Sequence, residues 1–145
     1  MTPDQKHLVR SSFVKVAPMA PAAAAMFYDR LFELDPGLRP LFDGDMEEQG
    51  RKLMAMIATA VANLDTLDAI VPAVRNLGRR HAAYGVRDAD YDTVAEALLW
   101  TLERGLGSEF DDATRGAWAQ CYGILAAEMK SAAQGAERDP ARKAG

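Results

Sequence analysis

The sequence lacks the features that would place it in several large classes of protein. A single cysteine, Cys121, among 145 residues excludes an internal disulfide and favours a reducing compartment, for which the cytoplasm is the default. No apolar run approaches the roughly 18 residues of a membrane span, and the N-terminal sequence MTPDQKH lacks the apolar stretch of a signal peptide. The net charge of −4 gives no electrostatic support for nucleic-acid binding. We therefore expect a cytoplasmic protein with neither nucleic-acid nor membrane partners.

Strand-type alternation is also missing, and helical periodicity is present along most of the chain. Residues Thr2 to Gln5 form a capping-box pattern that begins a first helix. Pro18 and Pro21 break this helix and start a second, which ends before the dipeptide at 35–36 because a residue before proline avoids the helical region. Helical spacing of apolar residues predicts four further helices, which begin near Met46, before Ile70, near Asp88 or Asp90, and near Asp111. The sequence predicts an all-α protein.

Length and composition predict one domain. An apolar fraction of 49% in a chain of this size is enough to form a substantial core. The last segment, SAAQGAERDPARKAG, loses the apolar period. We therefore predict a folded domain over residues 1–130 and a frayed tail over residues 131–145.

One histidine has a position that suits a ligand. His81, in the stretch LGRRHAAYGV, follows Ile70, Val74 and Leu77 at steps of four, three and four, so it lies on the apolar face of its helix. Gly85 is well placed to end that helix in a left-handed turn. A histidine on an apolar face is more often a hydrogen-bonded core residue than a metal ligand, and position alone leaves both interpretations open. The other histidine, His7, is predicted to lie on the surface.

The residues around this histidine carry a family resemblance. Pro36 and Phe42 lie six apart in DPGLRPLF, and Tyr28 lies eight residues before that proline. Gln49 and Leu53 precede His81 by 32 and 28 residues. Together with the stretches FYDRLFELDPGLRPLF, EEQGRKLMAMIA, VPAVRNLGRRHAAYGV and AQCYGILA, this pattern resembles the globin family, in particular single-domain bacterial haemoglobins and the haem domain of flavohaemoglobins. The resemblance covers residues 5–129.

The resemblance implies a globin fold and a haem b group between the helices that carry Gln49 and His81. It makes His81 the proximal iron ligand, Phe42 the aromatic ring against the porphyrin, and Tyr28, Gln49 and Leu53 the distal, gas-binding pocket. A neutral imidazole binds iron through one ring nitrogen, and the other N–H needs an acceptor, for which the Leu77 carbonyl is a candidate. The predicted haem-contacting residues are Phe42, Leu53, Ile57, Val74 and Leu77.

Charged and polar residues refine the expected site. Lys52, Arg79 and Arg80 are candidates to pair with the haem propionates, and plain surface charge is an equally open interpretation for each. No histidine occupies the distal position, so two-histidine ligation of iron is excluded. Two methionines, Met46 and Met54, are better explained as core residues than as sulfur ligands.

The match to flavohaemoglobins has a gap on the proximal side. Tyr91 matches their proximal tyrosine, but the partner carboxylate expected eleven residues after Tyr122 is replaced by Ala133. The G-x-G at residues 105–107 follows no strand and is not a dinucleotide-binding motif.

Three functions remain open from the sequence. We favour reversible O₂ binding for storage, delivery or scavenging, because Tyr28 and Gln49 are both uncharged hydrogen-bond donors. The second is nitric oxide dioxygenase activity with electrons from a separate reductase. The third is a gas or redox sensor module, which is disfavoured because a sensor is normally joined to an output domain. NO and CO are expected as further ligands.

Overall fold

The computed structural model describes residues 1–42 and 44–137, which form six α-helices and no strand. The helices are α1 (Pro3–Val16), α2 (Ala20–Leu34), α3 (Met46–Ala62), α4 (Leu67–Ala83), α5 (Asp88–Leu106) and α6 (Asp112–Glu137). Three short 3₁₀ segments connect them, at Ala17–Met19, Pro36–Leu41 and Gly107–Glu109. The all-α prediction is confirmed.

The helix ends follow from local chemistry. At the start of α1 the Gln5 amide donates to the Thr2 hydroxyl at 3.1 Å, and the Thr2 amide donates to the Gln5 side chain at 2.9 Å, which completes the predicted capping box. Helix α2 ends at Leu34, directly before the Asp-Pro pair, as expected. Helix α4 ends before Gly85, whose φ of +100° is accessible mainly to glycine.

The helices pack so that the buried side chains form two clusters with a space between them. Helix α4 packs along α6, and α2 packs along α5 and α3. The larger cluster joins α1, α2, α5 and α6 around Val9, Leu31 and Trp118. The smaller cluster lies between α4 and α6 and includes Val74 and Met129. A cavity lies where the two clusters meet, because members of both line it.

The end of the last helix differs from the sequence prediction. We predicted fraying from residue 131, but α6 continues to Glu137, and Ala132 and Ala133 are buried. Alanine has the highest helix propensity, and its small side chain fits where two helices lie close together. The helix therefore continues although this segment lacks large apolar residues. The rest of the predicted tail, residues 138–145, lies outside the described residues.

Candidate functional site

The cavity has a volume of about 520 Å³ and lies between α3 and α4, with walls from α2, α5, α6 and the 36–42 segment. Ten of the predicted site residues line it: Tyr28, Phe42, Gln49, Lys52, Leu53, Ile57, Leu77, Arg80, His81 and Tyr91. Side chains that are separated by up to 63 positions in the sequence therefore meet at one space. The predicted constellation forms a real pocket.

Two predicted contacts do not reach this cavity. Val74 does not line it and is only 1% exposed, packed with Tyr91, Ala126 and Met129. Val74 lies away from the cavity because α6 covers this part of α4. Arg79 also does not line the cavity, since it lies two residues before His81 and so projects from another face of the helix.

His81 projects into the cavity from the last turn of α4. Burial lowers the pKa of His81 below its ordinary value, and the neighbouring Arg80 lowers this pKa further. The imidazole is therefore neutral near pH 7, which is the form that binds metals. The expected hydrogen bond from the ring to the Leu77 carbonyl is absent among the described residues, and the ring of Tyr91 lies 6.5 Å away, centroid to centroid.

Tyr28 and Gln49 lie together on another wall of the cavity. The Tyr28 hydroxyl donates to the backbone carbonyl of Gln49 at 3.3 Å. The Tyr28 ring makes edge-on contacts with the rings of Phe27 and Phe42, at centroid distances of 5.0 Å and 5.3 Å. Burial raises the pKa of Tyr28 to about 12, so its hydroxyl keeps its proton and remains a donor. Tyr28 and Gln49 thus place uncharged hydrogen-bond donors on this wall of the cavity.

The mouth of the cavity carries positive charge and one exposed aromatic ring. Lys52 of α3 and Arg80 of α4 line the cavity and are exposed, and neither takes part in an ion pair among the described residues. Tyr84, which is 68% exposed, stands beside them at the end of α4. Sequence reasoning missed Tyr84, although its position three residues after His81 places it near the same face.

The part of the cavity near His81 contains further residues that the sequence did not reveal as site residues. Asp90 is buried against the cavity, and its carboxylate accepts from the Arg87 amide at 2.9 Å and from the Arg87 guanidinium at 3.1 Å. The Tyr122 hydroxyl donates to the Tyr91 carbonyl at 2.8 Å. Asp90 is the N3 residue of α5, but the N-cap residue is Arg87, so the usual Ser/Thr-x-x-Glu/Gln capping-box pattern does not identify Asp90 in the sequence.

The flavohaemoglobin carboxylate has no equivalent at the expected position. Ala133 is buried there, and the ammonium group of Lys130 lies 5.6 Å from the centre of the Tyr91 ring. A cation above an aromatic ring is attracted electrostatically to the negative face of that ring. The proximal tyrosine is therefore next to a positive group.

The sulfur-containing residues Met46, Met54 and Cys121 do not line the large cavity, whereas Met56 and Met129 do. Met46 does not line the cavity, whereas Met54 lines a separate apolar cavity of about 20 Å³. Cys121 is buried, and burial raises the pKa of its thiol to about 11, so it is not a thiolate. Among the described residues there is also no group of three or more His, Cys, Asp or Glu side chains that could hold a metal ion.

These observations define a class of protein: a helical bundle with a large, mostly apolar cavity that is lined by one neutral histidine. The globin family model matches residues 25–129. Neuroglobins from Tetraodon nigroviridis and Danio rerio are 32% and 33% identical to this chain over 138 residues, which cover 86% of this chain and 87% of each relative. The chain belongs to the globin family, and globins bind haem.

The fold also matches a solved globin structure. An engineered carbene transferase, described as a putative nitric oxide dioxygenase from Rhodothermus marinus, superposes with a TM-score of 0.86 at 26% identity. The match covers 94% of this chain and 96% of that one.

Among the described helices, none combines the length and the hydropathy needed to cross a bilayer.

Proposed function

We propose that this globin binds haem b in the cavity through His81 and that its primary function is the reversible binding of O₂ beside Tyr28 and Gln49. One observation supports this proposal: different walls of the same cavity carry a possible iron ligand and two hydrogen-bond donors. A neutral histidine of α4 and two uncharged donors of α2 and α3 line the same space of about 520 Å³.

The cavity suits haem in size and chemistry. Its volume falls within the roughly 300–1,000 Å³ of small-molecule and cofactor pockets. Leu53 and Ile57 of α3 and Leu77 of α4 supply apolar walls for the porphyrin faces, and Phe42 supplies an aromatic one. Haem also carries two propionates, and we assign these to the exposed cations Lys52 and Arg80 at the mouth.

The distal donors favour tight binding of O₂. A ferrous haem held by His81 would supply the binding of O₂ and would make the bound gas a partly charged hydrogen-bond acceptor. A hydrogen bond from Tyr28 or Gln49 to such a partly charged group contributes about 1.5–3 kcal/mol. This corresponds to roughly a ten- to hundredfold slower release of O₂ for each bond.

Absorption spectroscopy tests the proposal directly. Protein purified with its natural cofactor should contain one haem b per chain. The reduced protein should be five-coordinate or hold only a weak sixth ligand, and it should take up and release O₂ reversibly. Absence of haem, or a sharp low-spin ferrous spectrum without added ligand, would contradict the proposed pocket.

Nitric oxide dioxygenase activity is the second candidate, because the matched bacterial globin is described as a putative nitric oxide dioxygenase. For this chain we propose that such activity depends on a separate reductase, since the described residues form one helical domain without a nucleotide-binding sheet. The oxygenated protein should consume about one NO per haem and then stop until a reductase is added. Continued NO consumption with NADH alone would contradict the need for a partner.

A further inference from the structure

A lysine of α6 lies beside the residues that surround His81. The ammonium group of Lys130 is 5.6 Å from the centre of the Tyr91 ring, and the centre of this ring is 6.5 Å from that of the His81 ring. The positive charge therefore lies within about 12 Å of the proposed iron ligand. Ala133, one turn further along α6, is buried and supplies no carboxylate to offset it.

The packing of α4 against α6 fixes the position of Lys130 relative to His81. Gly78, three residues before His81, lies so close to α6 that a Cβ atom on it would be 2.5 Å from the Cα of Met129. Met129 directly precedes Lys130 in the chain. Because the two backbones are in close contact, neither helix can slide far along the other. The charge of Lys130 therefore acts on His81 from a constant direction.

The titratable groups nearby do not cancel this charge. The Asp90 carboxylate is already held by the amide and the guanidinium of Arg87. Burial raises the pKa of Tyr91, and Asp88 raises this pKa further, so the phenol is neutral near pH 7. Asp88 is exposed, and solvent therefore screens it more strongly than the half-buried Lys130. Among the side chains that the structure describes, none forms an ion pair with Lys130.

We propose that Lys130 raises the reduction potential of haem bound through His81 and so favours the ferrous state that binds O₂; this inference rests on the proposed function. When the iron gives one electron to an external acceptor, such as a redox dye, the haem gains one unit of positive charge. A fixed cation nearby opposes this gain. At an effective dielectric constant of about 20, a unit charge about 12 Å away changes such an equilibrium by roughly tenfold, and the partial exposure of Lys130 reduces the effect.

A charge series at residue 130 tests the proposal by redox titration of the haem-loaded protein. Lys130→Met should lower the midpoint potential, so that the ratio of ferrous to ferric protein at a fixed potential falls by roughly two- to tenfold. Lys130→Glu should lower the potential further, and Lys130→Arg should keep the wild-type value because it keeps the charge. An unchanged or higher potential in Lys130→Met and Lys130→Glu would overturn the proposal.

Arg115→Met is the matched control, because it also removes one positive charge from α6. Arg115 is exposed and lies fifteen residues before Lys130, which is about 22 Å along an α-helix. Its replacement should leave the midpoint potential near the wild-type value. An equal decrease in Arg115→Met and Lys130→Met would show that the potential follows net charge alone, and the assignment to Lys130 would be wrong.

The iron–histidine stretching frequency separates an effect of charge from an effect of packing. In reduced protein without gas, this resonance Raman band moves to higher frequency as the histidine donates more electron density to the iron. Lys130→Glu should raise the frequency, whereas Lys130→Arg should not. An equal shift in both variants would indicate altered packing and overturn the proposal. Normal haem and O₂ binding with unchanged potentials would refute this inference alone, whereas a protein that binds no haem would refute the proposed function as well.

Discussion

At the residue scale, the two histidines provide a matched test of the iron ligand. His81 lines the cavity, whereas His7 is exposed on α1. His81→Ala should lower the retention of haem by at least about tenfold, since even residues that only orient a metal ligand are worth 10- to 100-fold in affinity. The measurement is haem per chain after purification, and the rate of haem transfer to an acceptor protein. His7→Ala should behave as the wild type, and normal haem content in His81→Ala would refute the assignment.

The burial of Tyr28 leads to a prediction about pH. The pKa of Tyr28 is raised to about 12 in the folded protein, above the ordinary value of about 10. The folded state favours the protonated phenol, so its contribution to stability is complete below pH 10 and is lost as the pH rises through about 12. Release of O₂ should therefore be independent of pH from neutrality to about pH 10. Stopped-flow rates across this range would check it, and an acceleration with a midpoint well below pH 10 would count against Tyr28 as the donor.

Individual residues differ in how well the sequence predicted them. Leu53, Leu77 and His81 reach the cavity as expected, because helical periodicity fixes which side of a helix faces the core. Periodicity does not fix which neighbour covers that side. Val74 shares the apolar face with His81, but α6 covers it. Tyr84 and Asp90 were missed because their role depends on where the cavity opens, which is a property of the packed helices.

At the element scale, the position of α4 depends on one glycine. A Cβ atom on Gly78 would lie 2.5 Å from the Cα of Met129 in α6, and nearer still to its carbonyl oxygen. Gly78→Ala should therefore force α4 and α6 apart and destabilise the fold by about 1–3 kcal/mol. Because His81 lies one turn further along α4, haem should also bind more weakly. Urea denaturation and haem transfer measure the two effects.

Gly123 provides the control for this substitution. It lies within α6, and a Cβ atom there would meet no other group within 4 Å. Gly123→Ala should be neutral or stabilising by about 0.5–1 kcal/mol, since alanine costs less entropy than glycine in a helix. Equal destabilisation by both substitutions would show that the close approach at residue 78 is not the cause.

Helix ends were more predictable than helix contacts. The capping box at Thr2, the proline after Asp35 and the turn at Gly85 are local signals, and each ends or begins a helix where expected. The end of α6 was not predicted, because Ala132 and Ala133 are buried by neighbouring helices and carry no local signal. Local chemistry fixes boundaries, whereas burial of small residues depends on tertiary packing.

At the scale of the whole molecule, the cavity links stability to haem. The cavity of about 520 Å³ lies between the two core clusters and opens to solvent at its mouth. A ligand that binds only the folded state at 1,000 times its Kd adds about 4 kcal/mol, which for a chain of this size is roughly 10 °C in Tm. Calorimetry of protein with and without haem should show an increase of this order. A much smaller increase in Tm for His81→Ala would show that the stabilisation depends on the iron ligand. No increase in the Tm of the wild type would contradict haem binding.

The small apolar cavity beside Met54 has a mechanical consequence. Its volume of about 20 Å³ is lined mostly by apolar side chains of α1, α2, α3, α5 and α6, including Phe13 and Trp118, so it should remain dry. A dry void disappears when the chain unfolds, and the unfolded state then occupies less volume. Hydrostatic pressure favours the state of smaller volume, so this void should make the folded protein less stable under pressure whether or not haem fills the main cavity.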